Sequence, residues 1–209
     1  MSFDVDIGKT LGDRQLKRRF TVDGGLTVLF GPSGSGKSSI LNMVAGLLRP
    51  DRGSIRVNDT SLFDSAAGID LPPEKRAIGY VFQDARLFPH RRVRSNLLYG
   101  HRLVPPERRW MSLEEAVGFL GIGHLLDRWP RSLSGGEAQR VAIGRALLAG
   151  SRALLMDEPL SSVDHARREE ILQVIERIRD ELNVPILYVT HERGEAERLA
   201  NEVVTLEAL

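Results

Sequence analysis

The sequence predicts an α/β fold in which helices cover both faces of a parallel sheet. Short, fully apolar segments alternate along the chain with segments of helical periodicity. Fully apolar segments of this length are typical of strands in a parallel sheet that is buried on both faces. The clearest pair is the apolar segment Pro185 to Thr190 and the helix predicted just before it, from Arg167 to Leu182. Ile171, Ile175 and Ile178 recur on one face of that helix, as in an amphipathic helix.

The other elements follow from local patterns along the chain. Phe3 to Ile7 alternates apolar and polar residues, and Phe20 to Val22 can pair with it in an N-terminal antiparallel β subdomain. Further strands are predicted at Leu26 to Phe30, Ser54 to Val57, Ile78 to Phe82, Ala153 to Met156 and Val203 to Leu206, and further helices at Ser39 to Leu48, Leu113 to Leu120, Glu137 to Leu148 and just after His191. Prolines and helical periodicity between about residues 85 and 150 predict a helical subdomain inserted into a single domain spanning residues 1–209.

Composition excludes several classes of function. The 209 residues include 29 Lys and Arg against 28 Asp and Glu, so charge does not favour nucleic acid as a partner. The absence of cysteine excludes disulfides, zinc–thiolate sites and thiol catalysis. No signal-peptide core or apolar run of membrane-spanning length occurs, so we expect a soluble, cytoplasmic protein that reaches a membrane only through a protein partner.

The most informative segment is the octet that follows the strand at Leu26 to Phe30. It fits the phosphate-loop pattern G-x-x-x-x-G-K-[ST] and reads Gly31-Pro32-Ser33-Gly34-Ser35-Gly36-Lys37-Ser38, with Ser39 opening the next helix. The glycines let successive N–H groups point inward as an anion-binding nest, and the helix adds its positive end. Lys37 can reach the β- and γ-phosphates, and the Ser38 hydroxyl can bind Mg²⁺. The segment therefore predicts a nucleotide site.

Two acidic residues end the strand predicted at Ala153 to Met156. Asp157 is expected close to Mg²⁺, orienting it directly or through water, and Glu158 is placed to polarise a water for attack on the γ-phosphate. Taken alone, the pair could simply be the exposed tip of a buried strand. The phosphate loop upstream favours the catalytic interpretation.

A Ser-Gly-Gly-Glu segment separates these two motifs. Ser134 is a good helix N-cap, and Gly135 and Gly136 leave the backbone open to a ligand, so with Glu137 they predict a second anion site. In isolation the same residues would be read as an ordinary helix cap. Their position between the phosphate loop and the Asp-Glu strand selects among the many classes of NTPase.

With these motifs the chain resembles the ATP-binding cassette (ABC) ATPases over essentially its whole length. The matching segments are Walker A at Gly31 to Ser38, the Q-loop glutamine Gln83, the signature motif at Leu133 to Glu137, Walker B at Ala153 to Glu158, the D-loop at Ser161-Ser162-Val163-Asp164 and the switch histidine His191. The resemblance implies a P-loop NTPase (RecA-like) core. It also implies that two cassettes pack head to tail as a homodimer, so that Walker A of one and the signature residues of the other enclose each ATP.

The same resemblance implies further roles and partners. Gln83 would bind Mg²⁺ through its carbonyl oxygen and touch the attacking water, and His191 would hydrogen-bond the γ-phosphate. ATP and Mg²⁺ are the implied ligands. Two integral membrane permease subunits and, indirectly, a periplasmic binding protein are the implied partners, which would place the chain at the inner face of the cell membrane.

Several segments look closest to the ATPases of bacterial molybdate importers, among them Ile78 to His90 and Pro185 to His191. Import of sulfate, a polyamine, a sugar or a metal stays an alternative, as does a non-transport ABC ATPase. The family usually stacks an aromatic ring on the adenine, whereas residues 4–19 contain no aromatic, so Leu11 or another apolar side chain of Thr10 to Leu16 is expected to cover the base. Family members usually continue into a regulatory β domain, so the end at Leu209 suggests a truncated chain or a naturally short cassette.

Overall fold

The computed structural model describes residues 2–161 and 163–208. Its strands are β1 (Phe3–Leu11), β2 (Arg14–Val22), β3 (Leu26–Phe30), β4 (Arg52–Val57), β5 (Thr60–Asp64), β6 (Ile69–Asp70), β7 (Ile78–Val81), β8 (Ala153–Asp157), β9 (Ile186–Thr190) and β10 (Glu202–Thr205). Its helices are α1 (Lys37–Ala45), α2 (Val93–His101), α3 (Leu113–Leu120), α4 (Gly135–Leu148), α5 (His165–Glu181) and α6 (Arg193–Leu199). The chain forms two compact units: the first runs to Arg76 and resumes at Asn183, and the second comprises Ala77–Leu182.

The first unit contains an antiparallel sheet in the order β2-β1-β4-β5-β6. Its first hairpin is longer than predicted: pairing runs from Phe3 with Val22 to Leu11 with Arg14. Gly12, at a φ of 60°, makes the tight turn between them. Leu16 and Phe20 are buried on one face of β2, with Arg18 half-buried between them, while Lys17 and Arg19 are exposed on the other face.

Three parallel strands, in the order β10-β3-β9, form the rest of the first unit's sheet structure. All of β9 and most of β3 are buried, as strands covered on both faces must be. The helix after β3 was predicted from Ser39 to Leu48 but runs from Lys37 to Ala45. It ends early because Gly46 adopts a left-handed conformation, with a φ of 82°, and its N–H turns back to the last carbonyls.

The second unit pairs β7 with β8 in parallel, from Ile78 with Ala153 to Val81 with Met156. Residues 82–152, all of them described, contain helices and turns but no strand. Gly144 of α4 lets α2 and α3 approach closely, because an added Cβ would lie 2.8 Å from Leu97 and Leu120 side-chain atoms. The predicted apolar face of α5 is confirmed, since Ile171, Ile175 and Ile178 are fully buried.

Parallel strands with helical connections, together with the antiparallel sheet near the N-terminus, confirm the predicted α/β class. In the described ranges, no helix combines the length and the apolar character needed to cross a bilayer. The boundary of a separate helical subdomain near residues 85 and 150 stays a prediction.

Candidate functional site

The phosphate loop lies in the first unit, between β3 and α1, and its backbone is bent by glycine. Gly34 and Gly36 have φ angles of 81° and 89°, which L-residues with side chains rarely adopt. Gly31 has no room for a side chain, since an added Cβ would lie 2.4 Å from the carbonyl oxygen of Leu206. Helix α1 begins at Lys37, and Gly36, its N-cap residue, provides no side-chain cap.

Lys37 is held inside this loop before any phosphate arrives. Its ammonium donates to the carbonyl oxygens of Gly31 and Pro32 at 2.7 and 2.8 Å, and the residue is only 5% exposed. The hydroxyl of Ser35 is fully buried and, among the described residues, has no hydrogen-bond partner. An oriented cation beside an unsatisfied buried hydroxyl is an arrangement suited to an oxyanion.

His191 reaches the same edge of the first unit. Parallel pairing of β3 with β9 sets Phe30 beside Thr190, so Gly31 and His191 follow the carboxyl ends of neighbouring strands. Ligands of open α/β sheets bind at this edge. The imidazole is exposed, with Nε2 3.9 Å from the carboxylate of Glu192.

The second unit collects a second set of predicted residues in the same way. Pairing of Val81 with Met156 brings the turn that contains Gln83 and the residues Asp157 and Glu158 to one edge of the β7–β8 pair. Gln83 is exposed in that turn, and both acids are half-buried. Glu158 has a φ of 44°, and its carbonyl oxygen accepts bonds from the N–H and hydroxyl of Ser161.

Two residues that sequence reasoning did not assign connect these elements. The hydroxyl of Tyr80 donates to Oδ2 of Asp157 at 3.2 Å, and the amide of Gln139, on α4, donates to the carbonyl oxygen of Phe82 at 3.1 Å. Burial and the neighbouring Asp157 carboxylate raise the pKa of Tyr80 well above its usual value. The sequence signal that could have drawn attention to Tyr80 is the alternation in Ile78 to Phe82, which puts Tyr80 and Phe82 on the same side of the chain.

Ser134 caps α4 as predicted. Its hydroxyl accepts from the N–H of Glu137 at 3.3 Å, and the Glu137 carboxylate accepts from the N–H of Ser134 at 2.7 Å. This reciprocal capping box lowers the pKa of Glu137, chiefly through the backbone bond to Ser134. The box uses two of the donors that an anion would need. The anion role of this segment therefore rests on the N–H groups of Gly135 and Gly136 and on the proton of the Ser134 hydroxyl.

The turn after Gln83 has an unusual backbone. Ala85 and Arg86 follow one another with φ angles of 56° and 44°. The guanidinium of Arg145, on α4, donates to both of their carbonyl oxygens, at 3.0 and 2.8 Å. Burial lowers the pKa of Arg145 from its ordinary value, and the hydrogen bonds to two carbonyls compensate for that burial.

Two expectations are modified by the structure. Leu16 is fully buried in the core of the β1–β2 hairpin, so Leu11, which is half-buried, is the apolar side chain of the Thr10 to Leu16 stretch left to cover a base. Of the predicted D-loop, Ser162 lies outside the described residues.

The donors available to a cation suit Mg²⁺. Residues 2–161 and 163–208 contain no cluster of three His, Asp or Glu side chains that could hold a metal by themselves. The hydroxyl of Ser38, the amide of Gln83 and the carboxylate of Asp157 are hard oxygen donors. Mg²⁺ is usually bound by one or two carboxylates, waters and the phosphates of a substrate, so the donors of Gln83 and Asp157 at one edge of the second unit fit it.

The chain is similar to curated proteins that are named for molybdenum import. It is 57% identical over 206 residues to the molybdenum import ATP-binding protein ModC of Mesorhizobium japonicum, covering 99% of this chain and 56% of that protein. Identity to the protein of the same name is 61% in Brucella abortus, over 98% of this chain and 56% of that one. The chain thus spans about half the length of the curated relatives it matches.

Solved cassettes share the fold over the whole chain. A dimeric post-hydrolysis state of an ATP-binding cassette bound to ADP and Pi matches with a TM-score of 0.80 and 25% identity, covering 100% of this chain and 96% of that one. CbiO1 from Clostridium perfringens, part of the ABC transporter complex cbiONQ, matches with a TM-score of 0.79 and 25% identity, over 99% of this chain and 86% of its own. The family model for the ABC transporter matches residues 19–161, and the chain belongs to that family.

Proposed function

We propose that this chain is the ATP-binding and ATP-hydrolysing subunit of an ABC importer, powering uptake of an inorganic oxyanion, molybdate. The observation that carries the ATPase assignment is the first unit's edge, where an oriented Lys37 sits in a glycine-bent loop next to the position of His191. The cargo is supported by two relatives named for molybdenum import, which share 57% and 61% of their aligned residues with this chain.

In this proposal the first unit grips the triphosphate. Lys37 would exchange its carbonyl partners for the β- and γ-phosphates, and the buried hydroxyl of Ser35 supports an acceptor at that point of the loop. Backbone N–H groups from Gly34 to Ser39 would cradle the anion, with Pro32 and Ser33 shaping the outer side of the loop. His191 would donate to the γ-phosphate.

The second unit would supply the hydrolytic residues. Gln83 and Asp157 of this unit would hold Mg²⁺, which supplies neutralisation of phosphate charge when bound. Glu158 would polarise the attacking water. Most of the rate gain would come from positioning and electrostatics, as in other phosphoryl transfers.

A second copy of the chain would complete each site. Its Ser134, Gly135 and Gly136 would close over the γ-phosphate, and hydrolysis would reopen the pair. The dimeric cassette bound to ADP and Pi supports this arrangement. The two permease subunits would receive the movement at the membrane's inner face, and the periplasmic binding protein would deliver the cargo.

Replacing the proposed base tests the assignment. In Glu158→Gln we expect turnover to fall by about a hundredfold to ten-thousandfold, as when a general base is lost, while ATP binding persists and the protein becomes a stable dimer with ATP and Mg²⁺. Steady-state phosphate release and light scattering after gel filtration measure the two effects. Glu74→Gln, at an exposed carboxylate, is the control and should behave as the wild type. A Glu158→Gln protein that stays monomeric with ATP and Mg²⁺ would contradict the proposal.

The cargo needs its own measurement. In vesicles that contain the permease, this chain and the binding protein, molybdate should stimulate ATP hydrolysis whereas sulfate, a polyamine, a sugar or a divalent metal should not. Stimulation by sulfate alone would leave the ATPase assignment in place and would identify sulfate, in place of molybdate, as the cargo.

A further inference from the structure

We infer that Tyr80 is a positioning residue for the magnesium site, holding the carboxylate of Asp157 in the orientation that a cation needs. The inference rests on the proposed function, in which Asp157 is a ligand of Mg²⁺. It adds a residue that lies outside the motifs identified from the sequence.

The register of the β7–β8 pair brings Tyr80 within reach of Asp157. Tyr80 pairs with Leu155 across the parallel β7–β8 ladder, and Asp157 is two residues further along β8. Because side chains two apart share a face of a strand, Tyr80, Leu155 and Asp157 project to the same side. The tyrosine ring therefore reaches along the sheet to the end of β8, where its hydroxyl donates to Oδ2 at 3.2 Å.

The ring itself is held in place. It stacks on Phe82 with ring centroids 4.0 Å apart and an interplanar angle of 16°. The guanidinium of Arg86 lies over the other ring of this stack, 4.1 Å from the centroid of Phe82. Three planar groups in a column leave the Tyr80 hydroxyl little freedom, so its bond to Asp157 costs little further entropy.

This bond restricts how the carboxylate can turn. A carboxylate offers about four lone-pair positions, and a donor on Oδ2 selects the rotation in which the remaining positions face away from the ring. Carboxylates that bind metals are commonly held in this way by hydrogen-bonded neighbours. Loss of such a neighbour typically lowers metal affinity by about tenfold to a hundredfold.

The column also continues into the turn that carries Gln83. Phe82 is its immediate neighbour, and the carbonyl oxygen of Phe82 is fixed by Gln139. The orientation of Asp157 and the conformation of the Gln83 turn therefore depend on the same stacked rings. The stack of Tyr80 on Phe82 therefore helps to position both Gln83 and Asp157, the second-unit donors proposed for Mg²⁺.

The test is Tyr80→Phe, which removes one oxygen and keeps the ring. The matched control is Tyr188→Phe, since the hydroxyl of Tyr188 also donates to a carboxylate, that of Glu195, at 2.8 Å in the first unit. Binding of Mn²⁺ to the protein saturated with a non-hydrolysable ATP analogue is followed by electron paramagnetic resonance. Nucleotide affinity is measured separately in the presence of a chelator.

We expect Tyr80→Phe to weaken Mn²⁺ binding by about tenfold or more while its chelated nucleotide affinity equals that of the wild type, which also shows that the variant is folded. Phe82→Leu keeps the hydroxyl but removes its support, and its Mn²⁺ affinity should fall between those of Tyr80→Phe and the wild type. Equal Mn²⁺ affinity in Tyr80→Phe, Tyr188→Phe and the wild type would overturn the inference and leave the proposed function standing. A wild-type protein without metal-dependent nucleotide affinity would overturn both.

Discussion

Two helices of this chain begin at glycine-containing segments, and their first turns are completed in opposite ways. At α1 the N-cap residue is Gly36, which has no side chain to cap the helix, and the nearby cation Lys37 is held by loop carbonyls. At α4 the side chains of Ser134 and Glu137 satisfy each other's backbone donors. Side chains, water or a ligand can satisfy the backbone donors of a helix start, and at α4 side chains already satisfy two donors. The difference supports the proposal that the first segment binds phosphate and that the second closes over it.

The largest effect on ATP binding is expected from removing the cation of the first segment, Lys37. Lys37→Ala should raise the dissociation constant for ATP by about tenfold to a hundredfold, because hydrogen bonds to a charged group contribute about 1.5–3 kcal/mol. Titration calorimetry measures the change. Lys75→Ala, at the exposed last residue of a short 3-10 helix, is the control for the loss of one positive charge. Equal affinities in the two variants would remove the phosphate loop from the proposed site.

A second capping box, at α3, serves as a matched control for the box at α4. Ser112 and Glu115 form the same reciprocal box at the start of α3, in the same unit. Ser134→Ala and Ser112→Ala should each lower the free energy of unfolding by about 1 kcal/mol, the usual cost of losing a cap. Only Ser134→Ala should also reduce ATP turnover, since Ser134 alone is proposed to reach a second copy's nucleotide.

Urea denaturation gives the stability change of both variants, and phosphate release gives their turnover. Equal loss of turnover in both variants would mean that Ser134 acts only as a cap.

The smallest expected effect is a dependence of stability on pH. The folded pKa of Glu137 lies below its ordinary value of 4.5, so its carboxylate contributes stability that is fully present above that value and is lost as the pH falls through the folded pKa. Glu137→Gln keeps an acceptor but cannot ionise. The wild type should therefore lose its advantage over this variant, which we expect to be at most about 1 kcal/mol, on acidification from neutrality to about pH 3. A constant difference across that range would contradict the assignment.

Elements and motifs that depend on neighbouring residues could be predicted from the sequence. The helix from Leu113 to Leu120 was predicted with its observed bounds, because its periodicity and cap lie within a few residues. His191 was singled out by the resemblance to the ABC ATPases, and the parallel pairing of β3 with β9 sets it at the same edge of the first unit as Gly31. The residue roles at the site stay predictions until they are measured.

What could not be predicted depends on residues far apart in the chain. Tyr80 and Asp157 are separated by 77 positions, and no local pattern shows that a hydroxyl meets a carboxylate. The early end of α1 depends on the conformation of Gly46, whose left-handed φ overrides an apolar pattern that continues to Leu48. The clamp of Arg145 on Ala85 and Arg86 spans 60 and 59 positions and involves only backbone acceptors, which carry no sequence signature.

That clamp gives α4 a mechanical property. Arg145 lies eleven positions after Ser134, a rise of about 16 Å along a helix whose own hydrogen bonds keep it stiff. The Ser134 end of α4 forms the capping box, and the Arg145 end binds the carbonyl oxygens of the turn after Gln83. A displacement of the Ser134 end along the helix axis would therefore move this turn as well or break the two hydrogen bonds of the half-buried Arg145 guanidinium.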